Sequence, residues 1–352
     1  MTTNPNNLNP NNPNNLYVHF PFCRSRCSYC NLYSRIGSTT ESRAEYVKQI
    51  VAGLKTLGDA SFKTIYFGGG SPSLCDLKPL IPVFGAREAV TLPEFTVEMH
   101  PLDVTEEKLL ELKELGVTRI SMGVQSLDDD ILRHMSRGYD FFTAERAFRL
   151  VKEHFDNAGI DLIVGYPGET AALSPRHGRL AKWGLRHCSV YSLQNERGLT
   201  DVVDDDTALN RIAIVARFLQ DLGLERYEIS NYAVPGFECR HNLAVWRGED
   251  YLGLGEGAYG RVGLTRTRGV RSTSEVPFVP EVSSVSSSLD LKERVLFRLR
   301  TREGIDCSKF PEWRETLEKF AAEGLLLHVN GPVYRLTERG TEVCDTILAE
   351  LV

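Results

Sequence analysis

A chain of 352 residues exceeds one ordinary core and predicts a large domain with a smaller one beside it. With 42% hydrophobic and 25% charged residues, and no apolar run near the ~20 residues of a membrane helix, it reads as a soluble globular protein. The formal charge of -6 argues against a large nucleic-acid footprint, and the absence of an export leader puts the eight cysteines in a reducing cytoplasm, as metal ligands, catalytic thiols or buried groups.

Residues 1–15 carry an Asn/Pro-rich tract that buries too little to offset the entropy of ordering, and a disordered tail is expected there. Six β-rich runs follow, at 16–20, 64–67, 95–99, 119–124, 160–164 and 189–193. Each precedes a stretch of helical period, at roughly 42–57, 76–88, 105–115, 128–135, 143–155 and 171–184. Thr105 ahead of Glu106 and Glu107 is an N-cap with acids in the first turn, and Gly116 closes the same helix. Asp128–Asp130 and Asp204–Asp206 fit helix starts better than a cation site. Six βα units fall two short of a closed eightfold barrel, so the fold class is α/β, a partial (β/α)6 barrel whose site lies at the carboxyl ends of the strands.

A further helical stripe runs over 208–222, and a Pro/Ser-rich stretch at 272–288 reads as a linker. Residues 289–352 suggest two helices, a hairpin turning at Asn330-Gly331 and a last helix, a winged-helix-like α+β domain. Its ten basic and twelve acidic residues are the wrong balance for a duplex binder, so a cap or docking module is expected.

The strongest chemical signal is Cys23-x-x-x-Cys27-x-x-Cys30, in the loop after the first strand. A structural zinc takes four protein ligands, and so does an ordinary electron-transfer cluster. Three thiolates on a cubane leave one iron without a protein ligand, where a small molecule can bind; zinc completed by a distant thiol or by His241 is the alternative. At the ends of the following strands lie Gly68-Gly69-Gly70-Ser71, Glu98, Gln125 and, within strand five, Asp161. The glycines would let backbone approach a ligand, and Glu98 suits an ammonium group. The remaining cysteines, Cys75, Cys188, Cys239, Cys307 and Cys344, lack ligand spacing and are expected to be buried.

The cysteine spacing, with Tyr29 ahead of the third thiol, resembles the radical S-adenosylmethionine (SAM) family. The runs YVHFPFC, YFGGGSPS, EMHP, RISMGVQS, DLIVGYPGET, YEISNYA, HNLAVW and GLGEGAYG resemble, in that order, its HemN/HemW group of coproporphyrinogen dehydrogenase-like proteins. The resemblance implies a [4Fe-4S] cluster on Cys23, Cys27 and Cys30, whose open iron chelates the amino and carboxylate groups of SAM. It implies SAM contacts from Tyr17, Tyr29, Gly69, Gly70, Ser71, Glu98, Gln125, Arg137 and Asp161. It divides the chain into a tail (1–15), a radical SAM barrel (16–230), an HNxxYW-type element with a barrel extension (231–271), the linker (272–288) and a HemN-type C-terminal domain (289–352).

The dehydrogenases resemble C-x-x-x-C-x-x-C-x-C, whereas position 32 is leucine, and His241 to Trp246 is similar to the HNxxYW element of the haem chaperones of the HemW branch. That branch implies a cytoplasmic protein that binds haem, with His241 as a candidate ligand, passes it to respiratory acceptor proteins and takes electrons from a donor. It implies neither nucleic acid nor a membrane span, and leaves peripheral membrane contact open. The alternative is a radical SAM oxidoreductase acting on a porphyrinogen. Four positions depart from the pattern: Ser71 for Thr, Tyr139 and Tyr259 for His, and Val245 for Tyr.

Overall fold

The computed structural model describes residues 13–58, 60–85, 94–169, 175–200, 202–271 and 280–351. Most of the expected tail (1–12), the ends of the helices read at 76–88 and 171–184, and the first half of the linker (272–279) lie outside the described residues. In chain order the barrel contains β1 (Asn15–Phe20), α1 (Thr40–Thr56), β2 (Thr64–Gly69), α2 (Ile81–Gly85), β3 (Glu94–Met99), α3 (Glu106–Glu114), β4 (Arg119–Gln125), α4 (Asp129–His134), α5 (Phe141–His154), β5 (Ala158–Val164), α6 (Pro175–Leu180), β6 (His187–Ser192) and α7 (Asp205–Asp221). All six expected strands are present, and β1 to β6 pair as parallel neighbours in sequence order.

The strands alternate with period two, and the two faces have different chemistry. Leu16, Val18 and Phe20 of β1, Ile65 and Phe67 of β2, Phe95 and Val97 of β3 and Ile120 and Met122 of β4 point outward, where they form one core with Tyr46, Ile50 and Leu54 of α1 and Phe141, Phe148 and Val151 of α5. The other face carries Tyr17, His19, Tyr66, Thr96, Glu98, Arg119, Ser121, Asp161 and Ser189, so the inside of the barrel is a polar chamber. Helix starts match their expected caps: Thr105 accepts from the Lys108 N–H, Asp128 from Asp130 and Ile131, and Asp204 from Thr207.

Three readings are corrected. Asn15 belongs to β1, not to a tail: its side-chain amide donates to the Asp250 carbonyl at 3.0 Å and its oxygen accepts from Thr64 Oγ1 at 2.8 Å. The helix expected at 76–88 breaks into a 3-10 turn, Lys78–Leu80, and the five-residue α2, because Pro79 and Pro82 remove backbone donors. Beyond β6 the sheet is extended. The chain continues through β7 (Glu225–Arg226), β8 (Asn231–Ala233), α8 (Arg240–Trp246), β9 (Tyr251–Leu254), β10 (Tyr259–Val262), β11 (Thr265–Gly269) and β12 (Pro280–Ser284) into one twelve-stranded sheet ordered β12-β11-β10-β9-β1-β2-β3-β4-β5-β6-β8-β7. The described half of the supposed linker is therefore partly sheet edge, with Pro280–Ser284 paired to β11.

The C-terminal segment contains α9 (Ser287–Arg298), β13 (Ile305–Asp306), α10 (Arg314–Ala322), β14 (Leu326–Asn330), β15 (Val333–Leu336), α11 (Glu338–Glu342) and α12 (Cys344–Leu351). It has its own core around Leu299, Phe310, Trp313, Leu317 and Ile347, and a three-stranded sheet ordered β13-β15-β14.

Candidate functional site

The cysteine loop is fixed at its base. Phe22 bridges Arg35 in a parallel β-bridge, and the Cys23 N–H donates to the Arg35 carbonyl at 3.0 Å. The loop after β2 is joined to it: Gly70 N–H donates to the Phe20 carbonyl and Ser71 N–H to the Phe22 carbonyl, both at 2.7 Å. A Cβ on Gly69 (φ +107°) would stand 2.5 Å from the His19 ring, and one on Gly70 would stand 2.5 Å from the Phe22 carbonyl oxygen. The glycines are thus required by the approach of two loops, a different reason from the ligand clearance expected of them.

Cys23, Cys27 and Cys30 are partly exposed, while the five other cysteines are buried as expected. Burial, then the neighbouring thiols, pushes the Cys23 thiol up to about 11, and burial raises Cys30. Metal binding at such thiols must displace protons, so it is favoured by higher pH. The loop is also held from α4: Ser28 Oγ donates to the His134 carbonyl at 3.2 Å and bonds the Tyr166 hydroxyl at 2.7 Å. Arg137, at the end of that segment, donates to Cys27 Sγ at 3.2 Å, to the Tyr29 hydroxyl at 3.3 Å and to the Gly123 carbonyl at 2.7 Å. Tyr139, a departure from the family pattern, accepts from Arg137 Nε at 3.1 Å and donates to the Gly123 and Val124 carbonyls. It fixes the guanidinium beside the cysteine loop.

Below the loop, Glu98 accepts from the Tyr66 hydroxyl at 2.8 Å and from the Gly69 N–H at 3.0 Å. Burial, and then the charge of Asp161, pushes its carboxyl up to about 7 against those two hydrogen bonds. Asp161 is raised by burial and accepts from Ser121 Oγ at 3.2 Å. Tyr17 bonds His19 Nδ1 at 3.0 Å, and burial raises its hydroxyl well above the ordinary value. Gln125 sits at φ +69° beside a bulge between β4 and β5, a strained conformation for a residue with a side chain. Ser71 is buried and its hydroxyl donates to Asp103 at 2.9 Å, so that hydroxyl ties the two loops to α3's approach.

His241, the candidate haem ligand, stands apart from the other site residues. It lies at the opposite end of the barrel from the cysteines, only 4% exposed, with Nδ1 on Thr64 Oγ1 at 2.8 Å and its ring between Tyr17 and Tyr66. Burial, then the charge of Arg119, pushes its pKa down to about 3. Its ring is covered by its neighbours, at the end of the strands away from the cysteine loop. Among the described residues no three His, Cys, Asp or Glu side chains are grouped for a single metal ion. What the sequence reading did not select is the supporting set Tyr66, Ser121, Gly123 and Arg119, and it noted Tyr139 only as a departure from the family pattern. Strand alternation carries that signal, since Tyr66 lies two residues before Gly68 and Ser121 two before Gly123 on the chamber face.

The arrangement therefore presents three thiols over an acidic chamber, which suits a cluster with a cationic amine-bearing ligand below it. Residues 17–172 match the Radical SAM superfamily. The chain is 31% identical to the haem chaperone HemW of Bacillus subtilis over 95% of its own length and 99% of that protein's. The chain belongs to the HemW family. A mouse protein, radical S-adenosyl methionine domain-containing protein 1, mitochondrial, is 30% identical over 96% of this chain and 87% of its own. Among solved structures, Escherichia coli coproporphyrinogen III oxidase (HemN), a radical SAM enzyme, shares the fold at a TM-score of 0.83, with 19% identity over 99% of this chain and 92% of that one. As a member of the HemW family the protein has a [4Fe-4S] cluster and SAM as its cofactors, and the residues gathered here fit both: sulfur donors on one loop, and the buried carboxyl of Glu98 facing the chamber beneath.

Proposed function

We propose that the protein is a haem chaperone, which holds haem together with a [4Fe-4S] cluster and SAM and passes the haem to acceptor proteins. The observation that carries this is the end-to-end relation to proteins named haem chaperones, 31% identical over 95% of this chain and 99% of the relative. Leu32 agrees with it, because a fourth thiol two residues after Cys30 belongs to the dehydrogenase pattern.

In this reading Cys23, Cys27 and Cys30 hold the cluster, and Arg137, kept in place by Tyr139, offsets the thiolate charge at Cys27. Glu98 receives the SAM ammonium, with Tyr66 and the Gly69 N–H fixing the carboxylate. Asp161 and Gln125 take polar groups of the nucleoside, Tyr17 and Tyr29 line its path, and Gly69, Gly70 and Ser71 shape the adjoining wall. When bound, cluster and SAM together supply one-electron chemistry. Respiratory haem proteins are the acceptors, a reduced electron carrier feeds the cluster, and the cytoplasm is the site of action. No helix among the described residues is long and apolar enough to cross a membrane.

The experiment is an anaerobic reconstitution followed by haem titration, with coproporphyrinogen, SAM and reductant in a parallel vessel. Equimolar haem uptake with unchanged coproporphyrinogen is expected. A vinyl product in the second vessel would replace the chaperone with a porphyrinogen oxidoreductase.

A further inference from the structure

With His241 sealed in the barrel floor, a haem has to be held elsewhere. Among the described residues, apolar area and uncommitted positive charge meet at the outer edge of the cysteine loop. Leu32 (59%), Ile36 (55%) and Tyr33 (40%), within five residues of one another, and Tyr259 (58%) are all exposed large side chains, and apolar surface of this kind in sufficient area marks an interaction site. Tyr33 connects the loop to the sheet extension. Its ring lies over Gly257, where a Cβ would meet it at 2.8–2.9 Å, and its hydroxyl donates to Glu256 at 3.1 Å. Gly257 and Ala258 are bonded to Gly269 through two 2.7 Å backbone hydrogen bonds, which brings the β11 arginines to the same edge. Tyr259 faces Arg268 across β10 and β11, with the guanidinium carbon 5.7 Å from its ring centroid. Arg271 is close enough to act on the Tyr33 hydroxyl.

Glu256 is neutralised by Arg35 at 3.2 Å. Among the described residues no carboxylate pairs with Arg268 or Arg271. An apolar, aromatic face beside two spare guanidinium groups complements a flat macrocycle with two carboxylates, since arginine pairs with carboxylates through two parallel N–H donors. Tyrosine oxygen is an established axial ligand of ferric haem.

We propose that haem binds on this edge, with its macrocycle against Leu32, Tyr33 and Ile36, its propionates toward Arg268 and Arg271, and the Tyr259 oxygen on ferric iron. The ligand bond forms as the phenol loses its proton to solvent and an iron-bound water leaves; no electron is transferred. This site rests on the haem-chaperone reading and sets haem beside the cluster loop, outside the barrel.

The test titrates the reconstituted full chain with hemin, followed by absorbance and EPR, for the wild type, Tyr259→Phe, Ile36→Asp and the double variant Arg268→Glu/Arg271→Glu. Iron and sulfide content, expected to be unchanged, reports folding. Tyr259→Phe is expected to lose the high-spin phenolate spectrum, and each of the other two to weaken hemin binding by about tenfold or more. Wild-type spectrum and affinity in all variants would overturn the site while leaving the chaperone reading intact. A wild type that takes up no hemin would remove that reading itself. Variants that alter sedimentation and leave hemin affinity unchanged would make the edge a contact between copies of the chain, which also overturns the proposal.

Discussion

Glu98 concentrates the chemistry of the site in one side chain. Its carboxyl, pushed up to about 7 by burial and by Asp161, holds a proton over much of the range in which an ordinary carboxylate is charged. A SAM ammonium needs the charged form, so SAM affinity is expected to fall as pH is lowered through about 7 toward 5, and Glu98→Gln should weaken binding and flatten that dependence, measured by calorimetry on cluster-loaded protein. The same shift has a stability sign. The folded protein binds this proton more tightly than the unfolded chain, so folding loses stability as pH rises from about 4.5 to about 7. Cofactor-free Glu98→Gln should therefore be more stable than wild type at pH 8 by roughly 2–3 kcal/mol, with the difference vanishing near pH 4. The placing of Glu98 was legible because a strand end in a barrel is a predictable place, and that of Asp161 because strand alternation puts it on the chamber face. The burial of His241 was not, because a His-Asn pair on a short helix carries no record of the direction it faces.

Helix α8 shows what the HNxxYW-like element does in the fold. Glu94, at the start of β3, accepts from the Arg240 N–H at 2.7 Å and the His241 N–H at 2.9 Å, satisfying the open end of the helix inside the barrel floor. His241 then closes the floor through Thr64, and Trp246, at the other end, packs edge-on against Phe297 of α9 with rings 6.1 Å apart. His241→Ala is expected to cost roughly 1–3 kcal/mol in denaturant unfolding, because it leaves a cavity and an unpaired hydroxyl, while haem stoichiometry stays at the wild-type level. Lost haem with unchanged stability would return His241 to the haem site. The six parallel strands were readable from their period. Strands β9 to β12 were not, since each has only four or five residues and the run is rich in Gly, Arg and Ser, where turn and strand signals compete.

Across the whole molecule, one acidic residue ties the C-terminal unit to the sheet extension. Burial raises the Asp290 carboxyl, but hydrogen bonds from Arg294 (2.7 Å), Arg266 (2.8 Å) and Arg261 (2.8 Å) hold it well below the usual range. Arg294 also reaches Asp250 at 2.7 Å. Because the folded carboxyl is depressed, its contribution is present above the ordinary carboxylate range and is lost only in strong acid. Asp290→Ala leaves the buried Arg261 with only the more distant Glu293, at 3.7 Å, as a carboxylate partner and should destabilise the protein by roughly 1–3 kcal/mol, allowing for partial solvent access. Urea unfolding at neutral pH measures it. The docking was not legible, because the Pro/Ser composition at 272–288 reads as a spacer while its described part pairs as a strand. The account as a whole rests on three thiolates that leave an iron free for SAM. The most direct measurement is the EPR spectrum of the reduced, anaerobically loaded protein before and after adding SAM, with iron and sulfide counted. A [4Fe-4S] signal that SAM reshapes, and that Cys27→Ala abolishes, is predicted; an unchanged spectrum with SAM, or a full cluster in Cys27→Ala, would contradict it.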